Sequence, residues 1–188
     1  VFANQLPTGG TVSAGSGSIA QSGAAMTITQ TTRNLAINWQ SFGIKTGETV
    51  TFIQPSASAI ALNRVVGGDA SAIYGALSAN GKVFLINPNG ILFAPGSQVN
   101  VGGLVASTLN LSDSDFLNGN YSFANNGAAG SVVNRGAIRT ADGGYVAFLG
   151  PKVSNEGVVA AQIVGLVAGD KVSLDFNGDK LLSFSVNT

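Results

Sequence analysis

Residues Val132, Asn134, Gly136 and Ile138 reappear 21 positions later as Val153, Asn155, Gly157 and Val159. At the same offset, Gly144-Tyr145-Val146-Ala147 is matched by Gly165-Leu166-Val167-Ala168. A repeat of this length, made of short apolar runs closed by Asn and Gly, describes a unit that buries its apolar face only by stacking on a copy of itself. Helical solenoids are set aside because no stretch of ten residues carries a convincing 3.6-residue period, and Ser71 to Leu77 places Ile73, Gly75 and Leu77 at period two. The runs 25–30, 35–39, 50–54, 60–62, 83–86, 91–93 and 99–101 instead have strand character. The expectation is an all-β chain of stacked coils. At ~4.8 Å per coil, about nine coils would form a body roughly 40 Å long.

Asn134-Arg135-Gly136 and Asn155-Glu156-Gly157 read as corners, where a side-chain hydrogen bond or a glycine backbone turns the chain. Asn87-Pro88-Asn89-Gly90 lies between two apolar runs and has the residue preferences of a type I turn. Asn177-Gly178, flanked by 172–176 and 181–186, signals an antiparallel hairpin against the coils. The repeat is not traceable before about residue 60. The chain therefore divides, within one domain over 1–188, into a cap-containing region to about 60, coils over about 60–170 and a hairpin over about 171–188. Because the repeat runs in register to Ala168 and meets only a hairpin, more coils are expected beyond it in the natural protein.

Composition narrows the function. The chain has no His and no Cys, which removes Ser-His and Cys-His nucleophile pairs, His- or Cys-based metal sites and the usual general base at neutral pH. Nine basic residues balance nine acidic ones without forming a stripe, so nucleic acid is not an expected partner. No apolar run approaches the length that spans a bilayer as a helix. The pairs Asp113/Asp115 and Asp175/Asn177/Asp179 suggest calcium only weakly: the first reads as a solvated loop and the second as the hairpin turn. A carbohydrate-cleaving site would need carboxylates that meet across coils, and no spacing supports one. Trp39, Phe52, Phe84 and Phe93 would be sugar platforms only if exposed, and their apolar surroundings favour the core. No cofactor, metal or catalytic residue is expected.

A longer series of motifs resembles the two-partner-secretion, or haemagglutination-activity, domain of filamentous haemagglutinin-like exoproteins. The residues are Ala36-Ile37-Asn38-Trp39, Phe52-Ile53-Gln54-Pro55, Leu62-Asn63-Arg64-Val65, Ile73-Tyr74-Gly75-Ala76-Leu77, Gly81 through Ile91 with its Asn87-Pro88-Asn89-Gly90, and Gly103 through Leu109. The family's other turn motif, NPNL, is absent. The resemblance implies a right-handed parallel β-helix with an N-terminal cap and extra-helical antiparallel strands. It also implies a non-enzymatic secretion domain, exported through the periplasm of a Gram-negative bacterium to the medium or cell surface. Its partner would be an outer-membrane β-barrel transporter that reads the domain with its POTRA domains. The signal is expected in the strands and turns, including Asn87–Gly90, with Asn38, Trp39, Asn63 and Arg64 as further motif positions. The isolated domain is expected to be monomeric, and the parent an adhesin, haemolysin or contact-dependent toxin that meets a host glycan or receptor through its full length. A glycan-binding module and a polysaccharide-cleaving enzyme remain the alternatives.

Overall fold

The computed structural model describes residues 2–187. Three parallel sheets wrap around one apolar interior, and a fourth, antiparallel sheet lies outside them. The chain opens with β1 (Phe2–Ala3), β2 (Thr11–Ala14) and β3 (Gly17–Ser22). Successive coils then follow: β4 (Ala25–Gln30) and β5 (Asn34–Trp39); β6 (Thr49–Ile53), β7 (Ile60–Val65) and β8 (Ala70–Ile73); β9 (Ala76–Ala79), β10 (Lys82–Ile86) and β11 (Ile91–Phe93). The next coil contains β12 (Gln98–Val101) and β13 (Gly103–Ser107), an excursion with α1 (Asp113–Leu117) and β14 (Ser122–Ala124), and then β15 (Ser131–Asn134). Last come β16 (Ala137–Thr140), β17 (Tyr145–Gly150) and β18 (Lys152–Asn155), then β19 (Val158–Ala160) and β20 (Ile163–Ala168), and the hairpin β21 (Lys171–Asn177) and β22 (Lys180–Asn187).

The first sheet is ordered β1-β8-β11-β15-β18, the second β2-β5-β7-β10-β13-β17-β20, and the third β19-β16-β12-β9-β6-β4-β3. Every pairing in them is parallel except β2 on β5 and β3 on β4, which close one end of the solenoid. The all-β parallel β-helix with a capped N-terminal end and an extra-helical hairpin is thus present. Its second and third sheets are seven strands deep, so the body has seven rungs rather than about nine. The difference arises because the excursion and the hairpin use chain that an uninterrupted repeat would have put into coils. Parallel rungs also begin at Ala25, well ahead of the boundary near residue 60. The early coils are longer than 21 residues: Ala25 pairs with Thr49 and Asn34 with Ile60.

The repeat itself is only partly real. Val132 does pair with Val153, Asn134 with Asn155 and Ile138 with Val159. Ala147, however, pairs with Gly165 and not with Ala168, because β19 and its corner are shorter than β16 and its corner. Ser71 to Leu77 is likewise two strands around the Tyr74-Gly75 corner, with Ile73 and Leu77 both in the core.

Side-chain alternation gives the second sheet two apolar faces. Its inner face contributes Leu35, Ile37, Ala61, Val83, Leu85, Leu104, Val146 and Phe148 to the solenoid interior. Its outer face contributes Ala36, Leu62, Phe84, Val105, Tyr145 and Ala147 to a second core. That outer face is covered by Phe116, Phe123 and the hairpin residues Val172, Leu174 and Leu181. Continuous apolar runs such as 83–86 follow from this, since a strand buried on both faces does not alternate. Among the described residues no helix is long and apolar enough to cross a membrane.

Candidate functional site

The eight motif positions, scattered over residues 38 to 90, converge on neighbouring rungs of the second sheet. Asn38 and Arg64 are register partners on β5 and β7, and Arg64 is in turn the partner of Ile86, which leads directly into Asn87. Alternation splits the cluster. Trp39 and Asn63 point inward, where Trp39 Nε1 donates to Asn63 Oδ1 at 3.0 Å and Asn63 Nδ2 reaches the carbonyls of Ala61 and Phe84. Both are buried, so a polar bond in the apolar interior satisfies two groups that would otherwise be unpaired.

Arg64 points outward and fastens the excursion to the sheet. Its Nη1 donates to Asn38 Oδ1 at 2.8 Å, its Nε to Asn110 Oδ1 at 3.0 Å, and its Nη2 to the Leu111 carbonyl and to Asp113 Oδ1 at 2.9 Å. Half-buried and held by four acceptors, this guanidinium uses the fork geometry that a lysine lacks. The other ion pair among the described residues, Arg135 with Glu156 at 2.6 Å, lies in solvent and contributes little. Asp113 and Asp115, read from the sequence as a solvated loop, instead open the short helix α1. Ser112 caps it by accepting from the Asp115 amide, and the Ser-x-x-Asp spacing before Phe116 was the signal for it.

Asn87 to Gly90 forms the expected tight turn, with the Gly90 amide donating to the Asn87 carbonyl at 3.1 Å. Asn87 is fully buried. Its Nδ2 donates to the Asp69 carbonyl and Ser71 Oγ, while its Oδ1 accepts from the amide and side chain of Asn89. Gly90 has φ +123° with its neighbours packed closely, a backbone state that other residues reach only with strain. Only Pro88, half-buried, and Asn89, exposed, are reachable from outside. Beside Pro88 runs a groove of about 270 Å³, bordered by Arg64, Val66, Thr108, Asn110 and Asn126. The cluster therefore presents a shallow surface made of one exposed valine and several amides.

The corners Asn134 and Asn155 stack one rung apart. Asn134 Nδ2 donates to Asn155 Oδ1 at 2.9 Å, and each Oδ1 accepts the amide two residues on. Gly136 lies between them with ordinary φ; a Cβ there would overlap Ser97 Oγ, so close approach is what demands glycine. A similar ladder that the sequence did not reveal joins Gln30 and Gln54, with Gln54 Nε2 donating to Gln30 Oε1 at 3.1 Å and Gln54 Oε1 accepting the Gly81 amide. Trp39, Phe52, Phe84 and Phe93 are all buried and offer no ring face to a sugar. Among the described residues no three His, Cys, Asp or Glu side chains are grouped to hold a metal ion. The two tyrosines whose hydroxyls depart from the ordinary range, Tyr121 and Tyr145, are both raised, chiefly by burial.

The TPS secretion domain family model matches residues 3–185. A heme/hemopexin-binding protein of Haemophilus influenzae strain Rd is 42% identical over 174 residues, covering 88% of this chain and 19% of that protein. A second Haemophilus influenzae protein of the same name is 46% identical over 98 residues, covering 52% of this chain and 11% of its own length. This chain thus spans about a fifth or less of the curated relatives it matches. The crystal structure of the HMW1 secretion domain from Haemophilus influenzae superposes with a TM-score of 0.86 at 31% identity, over 96% of this chain and 50% of that one. With its parallel solenoid and its motif residues gathered on adjacent rungs, the chain belongs to the TPS, or two-partner-secretion, domain family.

Proposed function

We propose that this domain is the export signal and folding nucleus of a large secreted protein, read in the periplasm by the POTRA domains of a partner outer-membrane β-barrel transporter. The observation that supports this reading best is the burial of the motif. Trp39, Asn63 and Asn87 are inaccessible once the coils close, so a partner that reads them must do so before folding. An extended chain of alternating strands is suited to adding at the edge of a partner sheet. Outside the cell the same strands stack rung on rung, and the free energy of stacking favours onward movement without a nucleotide. The domain acts here as a binding and folding module and not as an enzyme.

The parent's activity is proposed separately, because a secretion domain does not fix it. Two relatives carry the name heme/hemopexin-binding protein. That favours capture of heme or of a heme carrier by the parent over the adhesin, haemolysin or toxin expected from the sequence.

The reading is tested by presenting purified POTRA domains with this chain in two forms, folded and freshly diluted from urea. The unfolded form should be retained and the folded form released; equal retention of both would overturn it. In cells, the domain should reach the medium only when the transporter and its POTRA domains are both present.

A further inference from the structure

Asn80, Asn89, Asn118, Asn126 and Asn177 are each followed by glycine, the residue with least bulk to keep its own amide from reaching the preceding side chain. We propose that one of the five, Asn126, is a site of spontaneous covalent modification in the folded domain, its side-chain amide being replaced by a carboxylate through a cyclic imide formed with Gly127. The only co-reactant is water. The Gly127 backbone nitrogen attacks Asn126 Cγ, an N–Cγ bond forms, the Cγ–Nδ2 bond breaks, and Nδ2 leaves as ammonia with the proton given up by the Gly127 amide. Water then opens the five-membered imide at either carbonyl. Cutting the new Cγ–N bond gives aspartate, and cutting the backbone C–N bond gives isoaspartate, with the main chain rerouted through Cγ.

What separates the five is which atoms are already held. Asn80 Oδ1 accepts from the Gln54 amide at 2.7 Å, its Nδ2 donates to the Gln54 carbonyl at 2.8 Å, and the Gly81 amide donates to Gln54 Oε1. Asn89 Nδ2 donates to the Gly67 carbonyl and Asn87 Oδ1, and the Gly90 amide donates to the Asn87 carbonyl. Asn118 ends α1 with ψ 0°, and the Gly119 amide donates to the Phe116 carbonyl at 3.2 Å. Asn177 closes the β21–β22 ladder opposite Lys180, which fixes its backbone. Asn126 has none of these restraints. Both it and Gly127 are exposed, and neither its side chain nor the Gly127 amide has a hydrogen-bond partner among the described residues. The holding bonds stop at the flank: Asn125 Oδ1 accepts from the Ala128 amide at 2.6 Å, and the Asn125 amide and Nδ2 donate to the Asp170 carbonyl and carboxylate. The 126–127 peptide is therefore the tip of a small bend, with its nucleophile and its electrophile both free.

The position gives the change a consequence. Asn126 borders the groove beside Pro88, together with Arg64 and Asn110, and among the described residues no acidic side chain lines that groove. Conversion puts a negative charge on a rim that is otherwise neutral or cationic, which changes the field any partner meets there. Isoaspartate also lengthens the main chain by one carbon between β14 and β15. The rate should rise with pH, because attack requires the Gly127 nitrogen to lose its proton.

The test is to hold the folded 188-residue chain in mildly alkaline buffer, sample it over time and map its peptides by mass. Asn126 should convert first, at least about tenfold ahead of Asn80 and Asn89, each of which must give up two or more hydrogen bonds before reacting. In urea, where those bonds are gone, the five should converge to within about threefold. The Asn126 peptide should yield both aspartate and isoaspartate, which electron-transfer fragmentation tells apart. Asn126→Gln should remove the first acidic species seen on anion exchange, and Asn126→Asp should elute with that species from the start. Conversion of any other of the five ahead of Asn126 in the folded chain, aspartate without isoaspartate, or a first acidic species that survives Asn126→Gln would each overturn the proposal.

Discussion

Phe148 in β17 and Leu166 in β20 are register partners one rung apart, both directed into the solenoid. Phe148 is fully buried and stacks on Phe93 with ring centroids 6.1 Å apart, whereas Leu166 is 46% exposed. The same holds across the whole end of the body. Val164 pairs with the fully buried Val146 yet is 44% exposed. What separates the two regions is not residue type but the presence of a neighbour on both sides. In a stacked repeat, each rung's stability is largely the sum of its interfaces, and the β18–β19–β20 coil has one where the inner coils have two.

That comparison can be broken, and the largest lever is the inner member of the pair. Phe148→Ala should cost about 3 to 5 kcal/mol in denaturant unfolding, through lost transfer energy and an unfilled cavity against Phe93. A cost as small as that of the end-coil substitution below would contradict the nearest-neighbour account. Gly136→Ala should come next, at about 1 to 3 kcal/mol, because the methyl has to displace Ser97 or the backbone behind it; a neutral result would mean that the corner opens freely. The Asn ladder offers an internal control. Asn134→Ala leaves a buried amide and a carbonyl unpaired and should cost about 1 to 3 kcal/mol, while Asn155→Ala, on the exposed rung, should cost less than half of that. Smallest of all, Leu166→Ala should change stability by less than about 1 kcal/mol. Hydrogen exchange sharpens the same contrast: amides of β20 should open at lower free energy than those of β10 and β13.

How much of this was written in the sequence depends on local spacing. Where strands and corners keep constant length, as from Val132 to Val159, the period gives the true register. Where a corner shortens, as before β20, matching residue types three positions out of register look just as convincing, because small apolar residues are interchangeable along a strand. The early coils escaped notice for the opposite reason: they run 24 and 26 residues, and no fixed offset aligns them. Between β13 and β17, Val105 pairs with Ala147, two periods away, since the excursion with α1 and β14 takes up the second period. The motif positions were legible as residues but not as a place. That Asn38, Arg64 and Ile86 lie side by side depends on register across three strands, and the role of Arg64 as a clamp depends on Asn110 and Asp113, which carry no signature of their own.

The antiparallel strands β2 and β3 give the molecule a direction. A full rung added by parallel pairing must join at the β18–β19–β20 side, because on the second and third sheets the other side is already occupied by chain running the opposite way. Such a body has one dead end and one live end. For a polypeptide threading a pore, that asymmetry works as a pawl: each rung that clicks onto the live end shortens the unfolded length able to slip back, and thermal motion alone is rectified into outward travel.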